Sequence, residues 1–370
     1  MRFLFLSPVV WNFYKLQNQL LALSLAKEGY EVMYAEPVKY KNWQKNKRFH
    51  DLSDNGSDDK LKIIKRFFRR RKSFISFIYE NINNTRQIAR HKPDVVVCYD
   101  HLMGLIPCMY CYFNKIHFIF NVSDDWDNVP QAFIPHKTWK YIIKPIIKKF
   151  SFAIASISHK QLQLYKLTHK RAFLLPNGVE NSFREDINSL HENKKMNLIN
   201  FIAHLRDWYD FELLFDVFSE LPNITLHIYG TGELLEALSE KAKQHNNIHI
   251  MGSVSHKETA RLLKDSFIGI IPLKNNLLND STCPVKLFDY WAARKAVVAT
   301  PTFELQQTGS DCILFAKNKE EWIKQIRFLM DNPERRSFLS NTGYEKIVDY
   351  YNYDVLTQKF IEQLEKMQFV

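Results

Sequence analysis

Residues Cys283–Thr300 read CPVKLFDYWAARKAVVAT, a helix that begins at a proline and runs directly into a buried strand. Pro284 suits the first helical position, where a missing N–H costs nothing, and Ser281 and Thr282 lie just upstream to offer capping hydroxyls. Val285, Leu287, Phe288, Tyr290, Trp291, Ala292 and Ala293 make nearly every side apolar. Lys286 and Asp289, three apart and so neighbours on one face, form the polar stripe before Arg294 and Lys295 close the last turn. A helix start with one cation and one carboxylate is placed to hold a phosphorylated ligand, since uncapped amides and the dipole favour an anion there. The same spacing equally makes an ion pair on an exposed edge.

Working outward, the rest of the chain alternates buried strands with amphipathic helices. RFLFLSP (Arg2–Pro8) is a short apolar run of the kind buried in parallel sheets, followed by Leu16, Leu20, Leu23 and Ala26 at helical spacing up to Gly29, then by VMYAEP. LKIIKRFF reads as an edge strand, FISFIYENINNTRQIARHKP as a helix ending before Pro93, and DVVVCYD and IHFIFNVSDD as further strands. TWKYIIKPIIKKF is a basic amphipathic helix with a kink expected at Pro145. FAIASIS and AFLLPNG complete a doubly wound domain, and Asn177-Gly178 with the polar residues to Lys195 reads as a linker. A second series runs through NLINFIAHL, NITLHIYG, NIHIMGSV, FIGIIPL, the Pro284 helix and AVVAT, with helices from Lys319 and Pro333. The expected division is 1–180, 181–350, and a terminal helix over 351–370 that packs back on the first domain.

Composition limits the function classes. With 46% hydrophobic and 25% charged residues the chain is globular, and it holds no apolar run of transmembrane length. The opening MRFLFLSPVV lacks a small-residue cleavage site and reads as a strand, which places the protein in the cytoplasm. Five cysteines fit reduced thiols, and Cys108 and Cys111 sit in an apolar run with no second pair to complete a zinc site. Residues 1–180 carry 29 Lys and Arg against 14 Asp and Glu, net +15, whereas the remainder carry 22 against 26, net −4. A basic half points to a polyanionic partner or an anionic membrane surface, or to a solvated face with no partner. Lys140, Lys144, Lys148 and Lys149 recur beside Ile142, Ile143, Ile146 and Ile147, the pattern of a helix lying on a membrane or of one with an aliphatic core face.

Ligands of open α/β sheets bind beyond the carboxyl ends of the strands. There the first half offers Ser123-Asp124-Asp125-Trp126-Asp127, which suits either a general base in a dry cleft or a helix cap. The second half offers Arg206 in HLRDW, a phosphate clamp or a plain loop residue, and Gly230-Thr231-Gly232, where backbone can approach a ligand closely.

LLPNGVE (Leu174–Glu180), INFIAHLRDWYDFELL, LHIYGTG and above all PVKLFDYWAARKAVVAT resemble the GT-B glycosyltransferases, group 1 and the xanthan-type glucuronosyltransferases among them. The resemblance implies an α/β protein of two Rossmann-like domains facing a cleft, whose C-terminal domain binds a nucleoside-diphosphate sugar, UDP- or GDP-linked, without a metal. It implies that Lys286 contacts the donor phosphates, that Asp289 binds the ribose hydroxyls where Glu is usual, and that Pro284, Val285, Arg206, Gly230, Thr231 and Gly232 line the same site. Ser281 stands where retaining members carry an acid, with Asp280 one place off, whereas the Lys-x-x-Asp arrangement and the Asp-Asp-Trp segment resemble the xanthan-type enzymes, in which an N-domain aspartate is the base of an inverting reaction. That resemblance implies Asp125, with Asp124 as substitute. Arg294 and Ala296 stand where Gly and Pro are usual. The expected activity is transfer of a sugar to a saccharide or lipid-linked acceptor in surface polysaccharide or glycolipid synthesis, on or near an anionic membrane. A sugar-nucleotide epimerase of the same architecture is the alternative. A basic nucleic-acid-binding protein fits less well, because no aromatic residues interleave with a basic stripe.

Overall fold

The computed structural model describes residues 1–11, 16–37, 59–66, 74–99, 101–123, 136–166, 169–191 and 196–368. They form two compact units: Met1–Pro176 together with Leu356–Val370, and Asn177–Val355.

The first unit runs β1 (Arg2–Leu6), α1 (Gln17–Lys27), β2 (Glu31–Pro37), β3 (Leu61–Arg66), α2 (Phe74–His91), β4 (Val95–Cys98), α3 (His101–Phe113) and β5 (His117–Val122). It continues with α4 (His136–Thr138), a π-helical turn over Trp139–Ile143, α5 (Lys144–Phe150), β6 (Ala153–Ser156), α6 (His159–Lys166) and β7 (Ala172–Leu174). All seven strands are parallel, in the order β3-β2-β1-β4-β5-β6-β7. Helices cover both faces of such a sheet, so the strands need apolar side chains on both sides; β4 is VVVC and wholly buried. Phe3 of β1 lies opposite Val32 of β2 and Val95 of β4, which fixes the register at the centre.

At Pro145 the chain widens before the proline. The Lys144 amide reaches back five residues to the Trp139 carbonyl, and the α-helix resumes with Pro145 in its first turn. The wide turn removes the clash a proline ring makes with the carbonyl four residues earlier, so a π turn stands where a kink is expected from the sequence. Of the four isoleucines, Ile143 and Ile147 are buried and Ile142 is 56% exposed.

The second unit holds α7 (Asn181–Ser189), β8 (Leu198–His204), α8 (Phe211–Ser219), β9 (Thr225–Thr231), α9 (Leu235–Ala242), β10 (Ile248–Gly252), α10 (His256–Asp265) and β11 (Gly269–Ile271). After these come α11 (Leu277–Asp280), α12 (Val285–Ala292), β12 (Val297–Ala299), α13 (Phe303–Gly309), β13 (Ile313–Phe315), α14 (Lys319–Asp331), α15 (Pro333–Asp349) and α16 (Tyr353–Gln368). Two parallel three-stranded sheets, β10-β9-β8 and β11-β12-β13, meet at β8 and β11, where the Phe267 amide donates to the Leu198 carbonyl at 2.7 Å. α16 starts in this unit and from Leu356 belongs to the first, where the Phe360 ring lies 6.3 Å from Phe3 and 6.1 Å from Phe173.

The polar stretch read as a linker is partly helical. α7 buries Phe183 and Ile187, one turn apart, and packs on α10; two apolar residues in a polar run are too few to register as periodicity.

α12 is the hub of the second unit. Trp291 is fully buried, and a Cβ on Gly343 would come within 2.3 Å of its ring, so a glycine on α15 makes the notch the indole fills. Tyr351 stacks on Phe288 at 4.7 Å, and the Tyr290 hydroxyl donates to the Asn200 carbonyl of β8. Arg294 closes the helix in the left-handed region, φ +52°, with the Lys295 amide returning to the Tyr290 carbonyl at 2.9 Å. The tight turn that glycine usually supplies is therefore made by arginine, its guanidinium 3.5 Å from the Tyr344 ring centroid and donating to Asn341 Oδ1 at 3.0 Å.

Candidate donor site in the second unit

The strand order of the second unit reverses between β8 and β11, and the carboxyl ends of those two strands flank the switch point where α/β sheets bind ligands. The loop after β8 is held in place there. The Asp210 amide donates to the Pro272 carbonyl at 2.8 Å, the Lys274 amide to the Trp208 carbonyl at 3.0 Å, and Asn279 Nδ2 to the Trp208 and Lys274 carbonyls.

Lys286, on the first turn of α12, points to this end. Its ammonium donates to the Ile202 carbonyl of β8 and lies 4.8 Å from the Phe201 ring centroid and 5.6 Å from that of Tyr209. Burial against these rings pushes the lysine pKa down to about 8, while the nearby Asp289 carboxylate works against that shift. An ammonium has three donors and one is used, so two remain for a ligand. Asp289 is half-buried and its carboxylate accepts no hydrogen bond among the described residues; burial raises its pKa, with the Lys286 charge opposing. The ion pair on an exposed edge is thus not what forms: the two charges stay apart, and each keeps capacity for a partner.

The start of α12 is left open by its neighbours. Pro284 caps with backbone alone, and Ser281 and Thr282, expected as caps, instead donate their hydroxyls back to the Leu277 and Leu278 carbonyls of α11. They lie at the end of one helix before they can serve the next, and a serine or threonine hydroxyl there finds the carbonyl four residues earlier. Asp280 accepts from the Phe303 amide at the start of α13. From the hinge stretch, Asn177 Nδ2 donates to the Cys283 carbonyl at 2.7 Å and so fixes the approach to Pro284. Pro284 is buried and Val285 is 45% exposed beside it.

Gly230 and Gly232 are required for a reason internal to the protein. Gly230 has φ +139°, and a Cβ there would lie 1.8 Å from the Ala203 oxygen; a Cβ on Gly232 would lie 2.1 Å from the Leu205 oxygen. What approaches these glycines is the backbone of β8 and its loop, tied further by His204 Nδ1 to the carbonyl of Thr231. Arg206 is exposed on that loop with its guanidinium 5.2 Å from the Trp208 ring, and no contact joins it to Lys286. The structure thus gathers Lys286, Asp289, Pro284 and Val285 with the carboxyl end of β8, and sets Arg206 and the glycines on the adjoining loops. Asp124 and Asp125 lie outside the described residues.

A polar cluster in the first unit is legible in the sequence only at Ser7, which follows the first strand. At the carboxyl ends of β1 and β2, Ser7 Oγ accepts from Asn18 Nδ2 and from the Tyr34 hydroxyl, the latter at 2.7 Å. Gln17 Nε2 donates to the Leu175 and Pro176 carbonyls, and its oxygen accepts from Asn121 Nδ2 of β5 at 3.0 Å. All five side chains are buried. The signal in the sequence is the run Gln17-Asn18-Gln19 at the head of an otherwise apolar helix, three amide side chains that are buried only because each finds its own hydrogen-bond partners elsewhere.

Comparisons with known proteins agree with this architecture. Residues 197–332 match the family model described as glycosyl transferases group 1. No curated protein matches the chain by sequence. Among solved structures, Alr3699/HepE from Anabaena in complex with UDP superposes with a TM-score of 0.71 at 11% identity, covering 99% of this chain and 100% of that one. A glycosyltransferase from Rickettsia africae gives 0.72 at 14%, covering 99% and 98%. The lipopolysaccharide outer core galactosyltransferase WaaB gives 0.65 at 12%, covering 99% of each. At these identities the likeness establishes the fold, GT-B with two Rossmann-like domains.

Proposed function

With residues 197–332 a group 1 glycosyltransferase domain, we propose that this protein transfers a sugar from a nucleoside diphosphate, UDP- or GDP-linked, to a saccharide or lipid-linked acceptor in surface polysaccharide or glycolipid synthesis. The observation that carries the donor half is Lys286: a cation seated at the switch point of the second unit, on the open first turn of α12, with donors to spare. The pyrophosphate binds against Lys286 and the first-turn amides, and Asp289 accepts from a sugar hydroxyl of the nucleoside. HepE is solved with UDP and with UDP-glucose, which makes uridine the first base to test.

Asp125, or Asp124 in its place, takes the proton from the acceptor hydroxyl. A positioned base contributes ~10²–10⁴ in rate, so Asp125→Asn is expected to lose that factor in kcat with UDP affinity unchanged. Turnover near wild type in Asp125→Asn and in Asp124→Asn would take both residues out of the mechanism.

The acceptor side is proposed to work at an anionic membrane on its cytoplasmic face. No helix among the described residues is long and apolar enough to cross a membrane. Support for surface docking comes from the first unit, where α2, α3 and α5 pack side by side. Phe74, Ile75, Tyr112, Phe113, Tyr141 and Ile142 are each more than half exposed, and Lys140 and Lys149 are exposed among them. Apolar anchors edged by lysines suit an interface of anionic headgroups. Vesicles containing anionic lipid are expected to sediment the protein, and Tyr141→Ser with Ile142→Ser to weaken this several-fold. Equal partition to neutral and anionic vesicles would refute the membrane role.

A further inference from the structure

At the far end of α12 from Lys286, the turn into β12 borders a cavity of about 260 Å³. Lys264, Arg294, Lys295 and Arg336 line it, together with the polar Ser337 and Asn341, and no carboxylate is among the lining residues. Lys295 is 2% exposed and its ammonium donates to the Lys264 carbonyl at 2.6 Å. Arg336 lies 4.8 Å from the Phe267 ring centroid. The Arg294 guanidinium rests on Tyr344 and donates to Asn341, which leaves most of its donors unused. Arg294 borders the cavity in a left-handed backbone conformation that glycine adopts at less cost. Neither Lys264 nor Arg294 forms an ion pair among the described residues.

Like charges gathered around one small volume repel, and an anion between them reverses the sign of that interaction. We infer that this cavity is a binding site for a small dianion of the phosphate class, inorganic phosphate or the phosphate of a small phosphomonoester. The planar fork of Arg294 matches two phosphate oxygens, Lys264 supplies a second charge, and Ser337 a hydroxyl donor. α15 begins at the rim with Pro333, where the helix dipole favours an anion, although Glu334 stands in the same first turn. The site lies at the amino ends of β11 and β12, where Phe267 and Ala296 line it, and does not rest on the donor reading at the carboxyl ends.

Calorimetric titration of the full chain with inorganic phosphate and with glycerol 3-phosphate, at low ionic strength, tests this. Saturable binding of at least one probe is expected, at least tenfold weaker in K264Q/R294Q and unchanged in Lys286→Met. Tighter binding of inorganic phosphate assigns the free anion, and tighter binding of the ester assigns the phosphomonoester. The absence of saturable binding overturns the inference. Binding that is lost in Lys286→Met and retained in K264Q/R294Q also overturns it, because the probe then sits in the donor site.

Discussion

Lys286→Met is expected to weaken UDP binding by one to two orders of magnitude while the protein stays folded. Methionine keeps the contact with the Phe201 and Tyr209 rings and removes only the charge and its donors. A hydrogen bond from a charged group contributes about 1.5–3 kcal/mol, which corresponds to roughly 10- to 150-fold in affinity. The same residue predicts a pH dependence. Burial lowers the Lys286 pKa from 10.5 to about 8, so the cation is present below that value and is lost as pH rises through it. Wild-type UDP affinity should therefore fall across pH 8 in a calorimetric series at constant ionic strength, and the Lys286→Met profile should lack that fall. A flat wild-type profile with unchanged affinity in the variant would move the diphosphate away from Lys286.

The second large effect is on stability. Gly230→Ala places a methyl group 1.8 Å from the Ala203 oxygen at a φ of +139°, and Gly232→Ala places one 2.1 Å from the Leu205 oxygen. Both contacts are to backbone, so relief requires β8 and β9 to separate where Ala203 pairs with Gly230 and His204 with Thr231. Each variant is expected to lose about 3 kcal/mol or more, a fall in melting temperature of about 6–12 °C. Gly252 is the internal control. It also has positive φ, +77°, but nothing stands within 4 Å of its Cβ position, so Gly252→Ala should cost only about 1 kcal/mol. Equal melting temperatures for Gly230→Ala and Gly252→Ala would show that the close approach does not control stability.

Gly230-Thr231-Gly232 is visible in the sequence as a turn permitting close approach, but the approaching group is the protein's own β8 loop, a contact between positions about 27 residues apart. Lys286 and Asp289 are visible as a polar stripe on an apolar helix, yet spacing alone could not tell an ion pair from two separate charges. The deciding partner is the Ile202 carbonyl, 84 positions away. Ser281 and Thr282 have the right composition for caps and serve the preceding helix instead.

The alternation of apolar runs and amphipathic helices was set by the sequence alone, because β-strands buried on both faces and helices with one buried stripe need those patterns wherever they end up. The helix from Pro284 into the strand Val297–Ala299 belongs to that category, as does the division into two α/β series. Tertiary structure decided everything that depends on two distant segments meeting in a drained space. It bonded Gln17 to Asn121 and Asn18 to Ser7 out of reach of water, gave Trp291 its notch at Gly343, and held Arg294 in a conformation its residue type disfavours. The physical reason is common to all three. Hydrophobic periodicity is a property of neighbouring residues, whereas desolvation, steric exclusion and the partners of a buried charge exist only once the chain has folded.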